Sequence, residues 1–408
     1  MRIACCTLLL PEEKHLAERI VKGKLSGISG HKLTEAMIQG IDSNLAFPVT
    51  VFNVINTLNY PNFPQILFQD EMWSHTEHSE DFHIGYVNLF GVKYLTQMEG
   101  LYKKLDSWVK GANGERCLIC VHNSYLPMMY AAMRIKNKYK RQITLCLSTG
   151  DIPGKEYGLP TNSPNPMKNF LITHIVEPMI MRLVKQFDCF VFVTSHMAEA
   201  YDVSDKPFVV VEYAYTEQSS NSGDILYESE IKRIFYAGSI REEYGIGHLL
   251  KAFSLIPDSD YRLVLAGGGS QVDEVRRYAE RDNRIQYLGF ISPQEVRQQQ
   301  RQSTALISPR LGSLNFTKYS FPGKSVDSLA SGVPYIAHRL PCDPPEYARY
   351  IQYADDESDE ALCRKMMEVC SLPPDKRREI GVAARRFILT EKNPKIMCKR
   401  ITDMWEKL

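Results

Sequence analysis

Ser308-Pro309-Arg310, followed after five residues by FTKYSFPGKSVDSLASGVP at 316–334, is the stretch that decides how this chain is read. The apolar run ending at Ser308 reads as a buried strand, the residues after it as a polar loop, and 322–331 as a helix with clear punctuation. Pro322 suits the first helical turn, where a missing N–H costs nothing. Gly332 suits the position just past the last turn, and Pro334 stops the helix from continuing. Such a helix presents the N–H groups of Gly323, Lys324 and Ser325, with the positive end of its dipole, to whatever lies above the sheet. That is an anion site, and Lys324 adds a full charge to it. Asp327, three residues on, shares its face, where a carboxylate can accept hydrogen bonds from a ribose diol. Taken alone, Lys324 and Asp327 also fit a surface ion pair on an ordinary helix.

Outward from this segment, strand-like runs alternate with helical patterns. Runs of the first kind are Val49–Val54, Cys117–Val121, Ile143–Leu147, Cys189–Val193, Phe208–Val211, Arg233–Tyr236, Tyr261–Ala266, Ile285–Leu288, Ala305–Ser308 and Pro334–Ala337. Leu33–Asn44, Leu126–Lys140, Gly247–Leu255 and Val272–Arg281 carry helical spacing. The alternation predicts an α/β protein with parallel sheets covered on both faces. A chain of 408 residues exceeds one comfortable core. The polar stretch from Thr216 to Glu228 has no periodic apolar pattern and reads as a linker. The expected units are 1–220, 223–390 and a final amphipathic helix within 391–408. That helix would pack back towards the first unit through Ile396, Met397, Ile401 and Trp405.

In the second unit two further loops follow strands and precede helices. One is Gly238-Ser239-Ile240-Arg241 through Gly245; the other is Gly267-Gly268-Gly269-Ser270. Glycine after a strand is needed for turning alone, but two such loops in one unit point to a nucleotide site. Asp327 through Pro334 then resembles the donor-binding helix of glycosyltransferase family 4, matching the second acid of its seven-spaced pair and the small-residue ending after it. Thr317 to Lys324 is similar to the variant found in bacterial surface and capsular polysaccharide transferases. Tyr287-Leu288-Gly289-Phe290-Ile291 falls where the family's backbone meets the nucleotide base.

The resemblance implies a GT-B architecture of two Rossmann-like domains that transfer sugar, with retention and without metal or other cofactor. The donor would be a UDP- or GDP-sugar; the acceptor, a glycan or lipid-linked molecule in polysaccharide biosynthesis. Lys324, Arg241 and Asp151 are then the expected catalytic groups. Gly238, Ser239, Gly268, Phe290, Ile291, Arg310, Tyr319, Ser320, Gly323, Ser325 and Asp327 would bind the donor. Two departures stand out: Tyr319 occupies the position of the first acid, and Ser239 and Tyr244 replace the usual Arg and Lys. A catalytically silent sugar-nucleotide-binding subunit supporting a partner transferase is the alternative they raise. A nicotinamide dehydrogenase is set aside, because no GxGxxG turn follows the first strand.

In the first unit, Ser29 and Gly30 fall in a small-residue loop that would face the phosphates and acceptor, or serve as a plain turn. His122 ends a strand and would line the acceptor side. Asp151 follows another strand and could hold or deprotonate an acceptor hydroxyl, or cap the next turn. The near-zero balance of charge, +1, argues against nucleic acid as a partner. The basic run Arg134–Arg141 reads either as a solvated helix end or as a patch for anionic lipid. The apolar stretch 171–193 is broken by charge too often to span a membrane. The expected location is therefore cytoplasmic, with peripheral contact at the inner face of the membrane. The ten cysteines are scattered, which fits reduced thiols. Cys117 and Cys120 would point apart on a strand.

Overall fold

The structure is a computed structural model describing residues 1–9, 28–154, 166–217, 225 and 230–408, with backbone only at 28–30 and 166–168. The chain divides into two compact units, Met1–Ala214 with Pro394–Leu408, and Tyr215–Asn393.

The first unit is built on β1 (Arg2–Thr7), β2 (Thr50–Asn53), β3 (Leu67–Phe68), β4 (Glu71–Trp73), β5 (Asp81–His83), β6 (Tyr86–Val87), β7 (Cys117–His122), β8 (Ile143–Thr149), β9 (Cys189–Phe192) and β10 (Phe208–Val210). Its main sheet runs β10-β9-β8-β7-β1-β2-β5-β4, parallel except for β4, and β3 pairs with β6 alone. The helices are α1 (Ile28–Asp42), α2 (Lys93–Lys110), α3 (Leu126–Tyr139), α4 (Pro166–Leu171), which runs through a π segment (Ile172–Val176) into α5 (Glu177–Val184), and α6 (His196–Ala200). β1 is absent from the strand-like runs read from the sequence. It is one of the two central strands of the sheet, and Ala4, Cys5 and Cys6 are fully buried. Small side chains fit there because helices cover both faces of a parallel sheet.

The C-terminal helix Pro394–Glu406 packs on α1 within this unit. A Cβ at Gly40 would overlap the Pro394 carbonyl oxygen, so glycine sets the approach distance. Cys398 Sγ donates to Met37 O at 3.5 Å, and Met397, Ile401 and Trp405 are buried. Ile396, expected on the same apolar face, is instead exposed. Cys117 Sγ donates to Glu115 O while Cys120 Sγ faces His122 Nε2, so the two thiols do point apart. The basic run at the end of α3 is largely consumed in ion pairs: Arg134 with Glu99, Lys136 with Asp188 and Lys138 with Asp106. Among the described residues no helix is long and apolar enough to cross a membrane.

A polar clamp ties the far edge of this sheet together. His75 Nε2 lies 2.6 Å from Asp42 Oδ2, and Nδ1 lies 2.7 Å from Asp81 Oδ2, with Asp81 fully buried. Burial works against the imidazolium, but hydrogen bonds donated to Asp42 and then Asp81 outweigh it and lift its pKa to about 9. A histidine pKa raised on folding adds stability that is complete below about 6.5. That stability is lost as pH rises through about 9. We expect thermal stability to fall over this window, by on the order of 2–3 kcal/mol. His75→Gln should flatten the profile in a calorimetric pH series; an unchanged slope would refute the clamp.

The second unit holds β11 (Lys232–Ala237), α7 (Ile246–Ser254), β12 (Tyr261–Ala266), α8 (Val272–Arg281), β13 (Ile285–Tyr287), α9 (Pro293–Arg301), β14 (Ala305–Ser308), α10 (Gly323–Ala330), β15 (Tyr335–Ala337), β16 (Ile351–Tyr353), α11 (Asp359–Ser371) and α12 (Pro374–Glu391). The sheet order is β13-β12-β11-β14-β15-β16, parallel throughout. The chain moves outward from β11 through β12 and β13, then returns to place β14 on the other side of β11. This reversal opens a crevice between the carboxyl ends of β11 and β14, the general place for a ligand in such a sheet.

Candidate active site

Both loops that border the β11/β14 crevice depend on glycine. Gly245 takes φ +75°, and a Cβ there would strike the Pro309 carbonyl oxygen. Only glycine combines that left-handed backbone with such an approach, and it brings the β11 loop against the β14 loop. At Gly238 any side chain would collide with Lys324 Nζ and the Tyr236 ring. The bare backbone of Gly238 therefore forms one wall of the space that Lys324 enters.

Helix α10 supplies the other wall. Pro322 is its N-cap (φ −80°, ψ 97°), one position earlier than the sequence suggested, and Gly323 opens the helix. Gly332 takes φ +83° just beyond the last turn. Behind the helix, Arg385 Nη1 donates to Ala330 O at 2.7 Å, placing a cation at its negative end. The first turn differs from expectation at Ser325. Its N–H is taken by Pro322 O at 2.9 Å, and its hydroxyl, buried, pairs with Tyr335 Oη at 2.9 Å. Ser325 is thus a structural residue that fixes α10 to β15. Among the described residues the N–H groups of Gly323 and Lys324 have no backbone acceptor, so two donors remain where three were expected.

Two cations converge beside Tyr236, the aromatic residue near the end of β11. Lys324 Nζ stands 5.9 Å from its ring centroid. Desolvation holds the ammonium pKa down at about 8, against a weaker opposing pull from Asp327. The Arg310 guanidinium also acts on Tyr236 electrostatically. Arg310 is 4% exposed and lies on an aromatic shelf, its guanidinium carbon 4.5 Å from the Phe316 ring centroid and 5.8 Å from that of Tyr244. Among the described residues its Nε and Nη2 are buried with no hydrogen-bond partner, and desolvation lowers its pKa. A buried guanidinium in that condition costs free energy unless an anion arrives to meet it. The crevice thus offers two cations and a helix N-terminus at one point, which suits a diphosphate.

The remaining candidates on this unit cluster around the same edge. Gly238 and Ser239 are half-buried, and Ser239 O accepts the Tyr236 hydroxyl at 2.8 Å. Arg241 is exposed on the same loop. Gly268, after β12, lies against the Phe290 ring, where a Cβ would overlap the ring edge. Phe290 itself is 88% exposed, and Ile291 follows it. Tyr319 and Ser320 are half-buried just before α10, and Asp327 is exposed on its outer face. Tyr236, Phe316 and Tyr335 were not singled out from sequence. Of these, Tyr236 carried a usable signal, an aromatic at the end of a strand directly ahead of a glycine loop.

On the first unit the outcome is mixed. Asp151, after β8, is held by its backbone: its carbonyl accepts Tyr201 Oη at 2.7 Å and Thr149 Oγ1 at 3.0 Å. Its carboxyl group bonds no described residue, so it caps no described turn, and burial raises its pKa. His122 requires correction. It is 2% exposed, with Nε2 3.8 Å from Cys120 Sγ, because the last residue of β7 turns into the sheet layer rather than outward. Ser29 and Gly30 lie in the first turn of α1, and their side-chain surroundings fall outside the described residues.

Two α/β units of this kind have the GT-B fold. The sucrose-phosphate synthase of Thermosynechococcus elongatus superposes with a TM-score of 0.64 at 15% identity, covering 100% of this chain and 99% of that one. The lipopolysaccharide outer core galactosyltransferase WaaB superposes at 0.62 with 14% identity, and Anabaena HepE in complex with UDP at 0.61 with 14%, each covering 100% of both chains. No curated protein matches at the level of sequence. Residues 231–371, which run from β11 through α11, match the family described as Glycosyl transferases group 1. The superpositions show the GT-B fold, and the family match lies on the second unit, which carries the crevice.

Proposed function

We propose that the protein transfers a sugar from a nucleoside-diphosphate donor to a glycan or lipid-linked acceptor in polysaccharide biosynthesis, with retention of configuration and without metal. The observation that carries this reading is the buried Arg310 guanidinium, whose Nε and Nη2 meet no partner among the described residues, beside Lys324 and the start of α10. In this reading Lys324, Arg310 and Arg241 hold the diphosphate, and the N–H groups of Gly323 and Lys324 complete its cradle. Developing negative charge on the leaving diphosphate then meets groups already oriented for it, which is how such sites lower a barrier. Asp327 takes the ribose diol, and the backbone about Phe290 and Ile291 takes the base. UDP is favoured over GDP by the ligand of HepE. Asp151, whose carboxyl group bonds no described residue, orients or deprotonates the acceptor hydroxyl.

A second reading, a silent donor-binding subunit, rests on Tyr319 standing where the family has an acid. Turnover decides between them. The purified protein should bind UDP in calorimetry and hydrolyse one donor slowly from a panel of UDP-, GDP- and TDP-sugars. Binding without turnover of any donor favours the silent subunit, and absence of nucleotide binding overturns both.

A further inference from the structure

The loop after β11 holds a contact for an anion that neither Arg310 nor Lys324 supplies. Beyond Ala237 the chain goes on pairing with the β12 side: Gly238 N donates to Ala266 O and Ile240 N to Gly268 O, each at 2.9 Å. Bonds two residues apart to one neighbour are those of an extended parallel ladder. In such a ladder the residue between turns its N–H and C=O to the opposite edge. Ser239 is that residue. The Gly238 carbonyl gives the same direction independently. A Cβ at Gly267 would strike Gly238 O, so this carbonyl points at the loop after β12. Across the trans peptide that follows, Ser239 N–H points the other way. The other neighbour of β11 is β14, so the N–H faces the crevice. Among the described residues it has no backbone acceptor.

This edge also carries Ser239 O, and a carbonyl oxygen there would set its negative end against an incoming diphosphate. Tyr236 removes that conflict. Its ring is buried, and its hydroxyl, three residues away in sequence, donates to Ser239 O at 2.8 Å. Gly238 N and Ile240 N are already held from the β12 side, so this third bond fixes the peptide groups on both sides of Ser239. The Tyr236 hydroxyl and Lys324 Nζ both crowd the place where a Cβ of Gly238 would stand. Hydroxyl, ammonium and the Ser239 peptide therefore surround one small space.

We propose that Ser239 N–H is a third amide contact for the diphosphate, and that Tyr236 is the positioning residue that keeps it there by capping the Ser239 carbonyl. The contact replaces the amide that Ser325 spends on Pro322 O. Tyr236 itself does not touch the nucleotide. Its role rests on the reading of the crevice as a nucleoside-diphosphate site.

Tyr236→Phe is the test, because it deletes the hydroxyl and keeps the ring beside Lys324, whose Nζ lies 5.9 Å from the ring centroid. Calorimetry on the full chain measures UDP directly, with inorganic pyrophosphate and uridine as competitors. The variant should bind UDP and pyrophosphate each about tenfold more weakly, with uridine affinity and Tm unchanged. The decline of UDP affinity at alkaline pH, set by Lys324, should persist in the variant. A variant that binds UDP as the parent does overturns the proposal. A lowered Tm, or uridine weakened by the same factor as UDP, also overturns it, since either marks a tyrosine that only supports the fold. A flattened pH dependence does so too, because the hydroxyl would then act through Lys324. These outcomes refute the role of Tyr236 alone, whereas a parent that binds no UDP refutes the transferase reading.

Discussion

Lys324→Ala is expected to lower donor turnover by about 10²–10³-fold and to leave the unit folded. The ammonium reaches across the crevice towards Gly238 and makes no ion pair with a described carboxylate. Its removal therefore deprives the packed core of nothing. Its loss falls on the diphosphate, and most heavily on the leaving group, where charge develops during transfer. A further signature comes from its pKa, held by desolvation at about 8 in the free protein. Binding of a diphosphate favours the ammonium, so UDP affinity should be full well below pH 8 and decline above it. Isothermal calorimetry from pH 6.5 to 9.5 measures that slope, and Lys324→Ala should abolish it. A Lys324→Ala protein that turns over at the parental rate would remove this residue from the mechanism.

The α/β class was legible because the strand runs are apolar, short and separated by helical spacing, a pattern that local physics dictates. The crevice was legible only in part. Gly238, Lys324 and Asp327 announce themselves by residue type and position after a strand or at a helix start. What places Arg310 beside them is the return of β14 to the far side of β11, a long-range choice that no local pattern encodes. Ser325 was misread for the same reason, since its partner Tyr335 comes from the next strand and its N–H folds back onto Pro322. His122 looked like a cleft residue because it ends a strand, but which face the last residue takes depends on register with β1 and β8. β1 itself was missed because Ala and Cys carry little strand signal, although a central position between two helical layers favours small residues.

Arg310→Met should separate function from stability by moving them in opposite directions. Two of the guanidinium nitrogens are buried without a hydrogen-bond partner among the described residues, on the shelf made by Phe316 and Tyr244. In the free protein that arrangement costs roughly 1–3 kcal/mol relative to a paired group. A methionine keeps the stem's packing and adds a sulfur contact to the aromatic rings. The free variant should therefore be as stable as the parent or more so, with Tm rising by a few degrees. Its affinity for UDP should fall by about 10–100-fold, because a charge-assisted contact to phosphate is lost. A guanidinium retained only for packing predicts the reverse, a lower Tm with unaltered UDP affinity. Differential scanning calorimetry with and without UDP reads both quantities from one sample. The parent should gain Tm with nucleotide while the variant gains almost none. A variant that loses stability and keeps that ligand-induced gain would show that Arg310 supports the fold and does not meet the donor.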